Sequence, residues 1–104
     1  MKPKVDRQSG LAVIALPSRA IREASAALAQ SIRSALKDGA KTVVFDLSGT
    51  EMMDSAALGV LIHARRENPP GQVDMVIRGA KGYVKGLLEN AKFSALFRME
   101  DDAA

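Results

Sequence analysis

Asp54 and Ser55 stand side by side, after the polar loop Ser48-Gly49-Thr50 and before the apolar run Ala56-Ala57-Leu58-Gly59-Val60-Leu61-Ile62. A serine in the first turn of a helix holds its hydroxyl at the positive end of the macrodipole, where added negative charge is favoured. The chemistry this placement invites is acceptance of a charged group by the hydroxyl. Asp and Ser are also the preferred helix caps, so capping alone accounts for the pair, and a functional role needs support from elsewhere in the chain.

Three other stretches carry residues capable of chemistry. Val44-Phe45-Asp46-Leu47-Ser48-Gly49-Thr50 resembles the Asp-x-Asp-x-Thr loop of haloacid-dehalogenase-like phosphatases, but Ser48 stands where the second aspartate belongs. Without that carboxylate the proton transfer has no carrier, and the chain has no room for the remaining motifs. His63 is the single histidine and there is no cysteine, so no metal site is expected and His63 reads as a rim residue. Gly79-Ala80-Lys81-Gly82 lacks the glycine spacing and the Lys-Ser/Thr ending of a phosphate loop and reads as a helix entry. Neither an enzyme nor a bound cofactor is expected.

The elements that must position Asp54 and Ser55 are legible from hydropathy. A chain of 104 residues is of single-domain length, and a domain this size can bury a core without disulfides or metals. Val5–Arg7 reads as a weak strand and Leu11–Leu16 as a firm one, close enough to pair antiparallel. Pro17 ends that strand and Ser18 is the expected cap of a helix from Arg19 to Lys37, with Ile21, Ala24, Leu28, Ile32, Ala35 and Leu36 on one face. Asp38-Gly39 stops it. Thr42–Leu47 is apolar without alternation, the pattern of a central strand covered on both faces. A helix from Ser55 to Glu67 follows, closed by Asn68-Pro69-Pro70-Gly71. Val73–Ile77 is a strand, Lys81–Asn90 a helix and Leu96–Met99 a last short strand. Glu100 to Ala104 reads as a solvated acidic tail. The expected class is α/β, in the order β-β-α-β-α-β-α-β, with a mostly parallel mixed sheet and an antiparallel N-terminal strand.

Charge and composition narrow the partners. The net charge is +3, from 15 basic and 12 acidic residues. The basic residues are scattered, with Arg65-Arg66 the one adjacent pair, and no aromatic residues are interleaved with them. That is not the footprint of a nucleic-acid binder. No apolar run approaches the ~20 residues of a membrane span, and Met1–Arg7 lacks a signal-peptide core. A soluble, cytoplasmic protein without membrane or nucleic-acid partners is the expectation.

The helix after Asp54 is apolar all round for its first turns, whereas a surface helix keeps a polar stripe. With Leu58, Leu61, Ile62 and Arg65 directed to the sheet, Ala56, Gly59, Val60 and His63 form an outward strip of small and apolar residues. Either a partner packs on that strip, or a neighbouring helix of the same domain covers it.

Asp46-Leu47-Ser48, then Met53-Asp54-Ser55, then Leu58-Gly59-Val60-Leu61, resembles the STAS domain, and within it the bacterial anti-sigma-factor antagonists. The element order agrees over nearly the whole chain. Val84-Lys85-Gly86-Leu87-Leu88 and Phe93-Ser94-Ala95-Leu96-Phe97 are similar to the family's third helix and return strand. The resemblance implies that Ser55 is phosphorylated, with Asp54 as its neighbour, and that Met53, Ala56, Gly59, Val60 and His63 lie at the partner contact. It implies an anti-sigma factor with a histidine-kinase-like fold acting as serine kinase, and a metal-dependent serine phosphatase that reverses it. The unphosphorylated form would capture the anti-sigma factor and free the sigma factor. A phosphate adds about −1.5 to −2 charges. Leaving that charge unpaired in an interface costs about 2–5 kcal/mol, or about thirty- to several-thousand-fold in affinity.

Two departures from the family pattern stand out. The Ser/Thr-Gly that follows the phosphoserine is Ala56-Ala57, which leaves Ser55 the sole acceptor in the motif. The acidic Gly-Glu-Leu-Asp loop before the first helix is Leu16-Pro17-Ser18-Arg19, basic instead of acidic, which points to a partner of different charge. A second implication of the resemblance is a phosphorylation-independent subunit of a lipid-transport or transporter complex.

Overall fold

The computed structural model describes residues 1–101. Strands β1 (Lys4–Asp6), β2 (Leu11–Ala15), β4 (Thr42–Asp46), β6 (Asp74–Arg78) and β7 (Arg98–Glu100) form one sheet in the order β1-β2-β4-β6-β7. β1 runs antiparallel to β2, and every other pairing is parallel. Helices α1 (Arg22–Lys37), α2 (Ser55–Glu67) and α3 (Gly82–Asn90) make the three crossovers. The fold class is thus the α/β arrangement expected, with its antiparallel N-terminal strand.

From β2 to β7 the strand order advances in one direction. Right-handed crossovers then place every helix on the same face of the sheet. Register confirms which face is covered. Ala12, Val43 and Met75 form one cross-sheet row, and Ile14, Phe45 and Ile77 the next. All six are fully buried in the core together with Leu28, Ile32, Leu61, Val84 and Leu88 of the helices.

The opposite face is uncovered, contrary to the expectation of helices on both sides. Its rows are Val13, Val44, Val76 and Arg98 in one register, and Ala15, Asp46, Arg78 and Glu100 in another. Arg98 reaches Asp74 at 3.0 Å and Arg78 reaches Asp46 at 3.5 Å. The aliphatic stems of such arginines roof apolar surface while their charged ends stay wet. Val44 and Val76 are buried on this face without a second helical layer, and the run Val43-Val44-Phe45 therefore lacks alternation.

The loops hold two elements that hydropathy did not reveal. Arg19–Ala20 (β3) pairs in parallel with Met52–Met53 (β5). Ser18 is therefore not the cap of α1. Its carbonyl accepts the Glu51 and Met52 N–H groups at 2.9 and 3.0 Å, and α1 starts at Arg22, after Ile21, which offers no side-chain cap. Two-residue strands are too short to show a period.

Near the C-terminus, Phe93–Ala95 is a 3-10 turn, followed by Leu96 and Phe97. Phe93 and Phe97 stack with centroids 5.1 Å apart, and Phe97 meets Phe45 edge-on at 6.3 Å. The last strand thus begins at Arg98, and Glu100 belongs to it instead of to a tail. Asp101 follows it, exposed, and residues 102–104 of that expected tail lie outside the described residues.

Candidate functional site

At the C-terminal ends of β2 and β4 the two loops are stitched together before their helices begin. Besides the β3–β5 pair, buried Thr50 donates its hydroxyl to the Leu16 carbonyl at 3.4 Å, and Asp54 N–H donates to Ala20 O at 3.3 Å. Asp54 is thereby placed between two helix N-termini. Its Oδ1 accepts the Ala57 N–H at 3.1 Å, capping α2, and its Oδ2 accepts the Arg22 N–H at 2.9 Å, capping α1. The Ala57 bond is the main cause holding the Asp54 carboxyl below its ordinary range. Slight burial opposes it, and the Arg22 and Ala56 N–H groups and the Arg22 charge add to it.

Because Asp54 supplies both caps, Ser55 is released from that duty. It is the first residue of α2, exposed, and no side-chain hydrogen bond among the described residues engages its hydroxyl. An exposed hydroxyl at the start of a helix can accept a transferred group without any rearrangement of the fold.

The strip on α2 is neither flat nor fully covered. α1 and α2 join parallel strands, run the same way and pack side by side. Between them lies a groove of about 370 Å³, lined on α1 by Ala29, Ile32, Arg33 and Leu36 and on α2 by Ala56, Gly59, Val60 and His63 among others. Ala56 and Val60 are half-buried at its wall, while Gly59 and His63 are exposed. A Cβ on Gly59 would meet nothing within 4 Å. His63 sits on the rim, 3.0 Å from Glu67 one turn on.

Two expectations need correction. Met53 is 1% exposed and belongs to the core, so it presents nothing to a partner; the exposed residue is Met52, at 42%. The alternation of β5 turns one methionine in and the other out. On α2 the inward stripe is Ala57, Leu61, Ala64 and Arg65, with Leu58 and Ile62 only half-buried beside it. Leu58 and Ile62 still pack against the core from its edge. The double role of Asp54 was not readable either, since its second partner is 32 residues away.

The other chemistry-bearing residues do not converge. Asp46 receives the Ser48 N–H at 3.0 Å and the Arg78 guanidinium at 3.5 Å. Partial burial pushes its carboxyl up, but the Ser48 bonds and Arg78 outweigh this and hold it below the ordinary range. It is tied into the open sheet face, away from His63. No cluster of three or more His, Asp or Glu side chains among the described residues can hold a metal ion. No helix among them is long and apolar enough to cross a membrane.

Comparisons with known proteins agree with this architecture. The STAS domain family model matches residues 2–104. A Thermotoga maritima protein described as a candidate anti-sigma factor antagonist superposes with a TM-score of 0.82 at 16% identity, over 97% of this chain and 86% of that one. The phosphorylated form of the Bacillus cell fate determinant SpoIIAA gives 0.74 at 18% identity, over 98% and 90%. An anti-sigma factor antagonist from Mycobacterium paratuberculosis gives 0.79 at 18% identity, over 95% and 84%. No curated protein sequence matches the chain significantly. At these identities the structural likenesses establish the fold, and with the family model spanning all but the first residue, the chain belongs to the STAS domain family.

Proposed function

We propose that this protein is an anti-sigma-factor antagonist that switches partners by phosphorylation of Ser55. The observation that carries the reading is the division of labour between Asp54 and Ser55. Asp54 caps both helices, and Ser55 is left exposed at the head of α2, one residue before the groove wall begins at Ala56. The unphosphorylated form binds a cytoplasmic anti-sigma factor that is also a serine kinase of histidine-kinase-like fold. The phosphorylated form is released and is reset by a metal-dependent serine phosphatase. In this cycle the protein is substrate and binder, with no catalytic chemistry of its own. That SpoIIAA, a relative in fold, exists in a phosphorylated form supports the reading.

The geometry explains how one phosphate suffices. A phosphoryl group on Ser55 places about −1.5 to −2 charges beside the Asp54 carboxylate, at the end of the groove where a docked partner would have to desolvate it. The helix N-terminus tolerates the charge, so the fold persists while the interface is lost. Gly59 is the closest point for a partner backbone, since it carries no side chain.

The test is incubation with Mg-ATP and the candidate kinase of the same genome, read by intact mass, beside Ser55→Ala. One phosphate on wild type and none on the variant is expected. Ser55→Ala should still bind the kinase, and Gly59→Arg should fold but not bind. An active kinase that leaves wild type unmodified would favour a phosphorylation-independent role instead, as would a Ser55→Ala variant whose activity is still turned on and off like that of wild type.

A further inference from the structure

The α1–α2 groove carries basic groups along its α1 side, and Glu67, hydrogen-bonded to His63, at the far end of its α2 wall. Its floor and walls are apolar, from Ala29, Leu36 and Val60, and Gly59 opens it to close approach. Arg33 stands exposed on its lip. Among the described residues the partner of the Arg33 guanidinium is the neutral Gln30 amide, at 2.9 Å, and no carboxylate of those residues lies within ion-pair distance of it. At the Ser55 end of the groove Arg22, also exposed, begins α1, and its charge is felt at Asp54. The nearby acids are already engaged or turned away. Asp54 is held by two backbone N–H groups, Glu67 by His63 at 3.0 Å, and Glu23 projects about 100° around α1 from Arg22.

We propose that this groove takes an amphipathic helix of the partner kinase, with an acidic residue opposite Arg33 and further acid toward the Arg22–Ser55 end. The proposal rests on the reading of Ser55 as the switch, and it specifies the chemistry of the segment that docks. Helix-in-groove recognition supplies apolar anchors at helical spacing, and complementary charge fixes their register. It also sharpens the switch. A phosphate on Ser55 faces the acidic end of the docked helix with like charge, and at the same time pairs with Arg22, which that end would otherwise use.

The experiment is calorimetric titration of the purified kinase into wild type, Arg33→Glu, Arg33→Lys and Ala29→Trp at low and high salt, each variant first shown to melt like wild type. Arg33→Glu is expected to weaken binding by at least about tenfold, equivalent to 1.4 kcal/mol. Arg33→Lys should lose less, wild-type affinity should fall as salt rises, and Ala29→Trp should block by filling the groove. A photocross-linker at position 29 should land on a kinase segment with Asp or Glu at helical spacing. A kinase that phosphorylates Ser55 yet binds Arg33→Glu and Ala29→Trp as well as wild type would overturn the groove and leave the switch standing. A kinase that neither binds nor phosphorylates wild type would overturn both. Cross-linking to a second copy of this chain, or to a non-helical or basic segment, would overturn the proposed occupant.

Discussion

The Oδ2 oxygen of Asp54 accepts the N–H of Arg22 at 2.9 Å, across 32 residues of sequence. Its other oxygen accepts from Ala57, in the same helix. One side chain thus closes the heads of both helices that form the groove. Truncating it should loosen α1 as well as α2. In Asp54→Ala, amide exchange should accelerate at Arg22 and Ala57 together and the melting temperature should fall. Asp54→Asn keeps one carbonyl acceptor and should lose less. Acceleration at Ala57 alone would show that the link to α1 is not maintained in solution.

The same carboxylate makes stability sensitive to acid. Asp54, through the Ala57 bond above all, and Asp46, where the Ser48 bonds and Arg78 outweigh partial burial, both titrate below their ordinary range when folded. The folded chain then binds fewer protons than the unfolded one. Their contribution is complete above the unfolded value of about 4 and is lost as pH falls through the lower folded values. Urea midpoints should be flat at neutral pH and drop below about pH 4. The drop should be shallower in Asp46→Asn and Asp54→Asn.

Gly79 is needed for two reasons. Its φ is +78°, and a Cβ there would lie 3.0 Å from Ser48 Cβ and 3.1 Å from Ser48 N. Gly39, which ends α1 at φ +90°, has nothing within 4 Å of such a Cβ. Gly39→Ala should cost only the left-handed backbone penalty, about 1–2 kcal/mol. Gly79→Ala should cost clearly more in denaturant titrations, because the backbone of the loop leading to Asp54 must move.

Arg65 is 6% exposed, with one guanidinium nitrogen 2.9 Å from Val73 O and a buried Nε that has no partner. No carboxylate among the described residues pairs with it. Replacing even a buried ion pair by apolar side chains of similar volume is often neutral or stabilising by about 1–4 kcal/mol, and Arg65 has no carboxylate among the described residues to offset its desolvation. Arg65→Met should therefore melt at or above the wild-type temperature. Arg65→Ala, which leaves a cavity, should melt below it.

Much of this architecture was readable in the chain because the signals are local. The helical spacing of Leu28, Ile32 and Ala35, the stop at Gly39 and the break at Pro69-Pro70 each depend on a few neighbouring residues. Continuous apolarity in Val43-Val44-Phe45 misled, since two-sided helical cover and burial without a second helical layer leave the same hydropathic trace. The hydropathy of α2 is compatible with an inner stripe of Leu58, Leu61, Ile62 and Arg65. The structure buries Ala57 and Ala64 and leaves Leu58 and Ile62 at the edge of the core, and nothing within α2 itself reports where its neighbours lie.

The sequence alone determined that Asp54 and Ser55 open a helix after a buried strand, because capping chemistry and strand hydropathy act over a few residues. It also determined the α/β class, since the spacing of apolar residues sets which elements can form. The tertiary structure decided that Asp54 serves two helices, that Met53 is sealed in the core, and that the strip on α2 is one wall of a groove. Each of these depends on contacts between segments far apart in sequence. The cap of Asp54 on Ala57 is local, whereas the parallel β3–β5 pair brings the two loops together so that the same side chain also reaches Arg22 and the head of α2 lies beside that of α1.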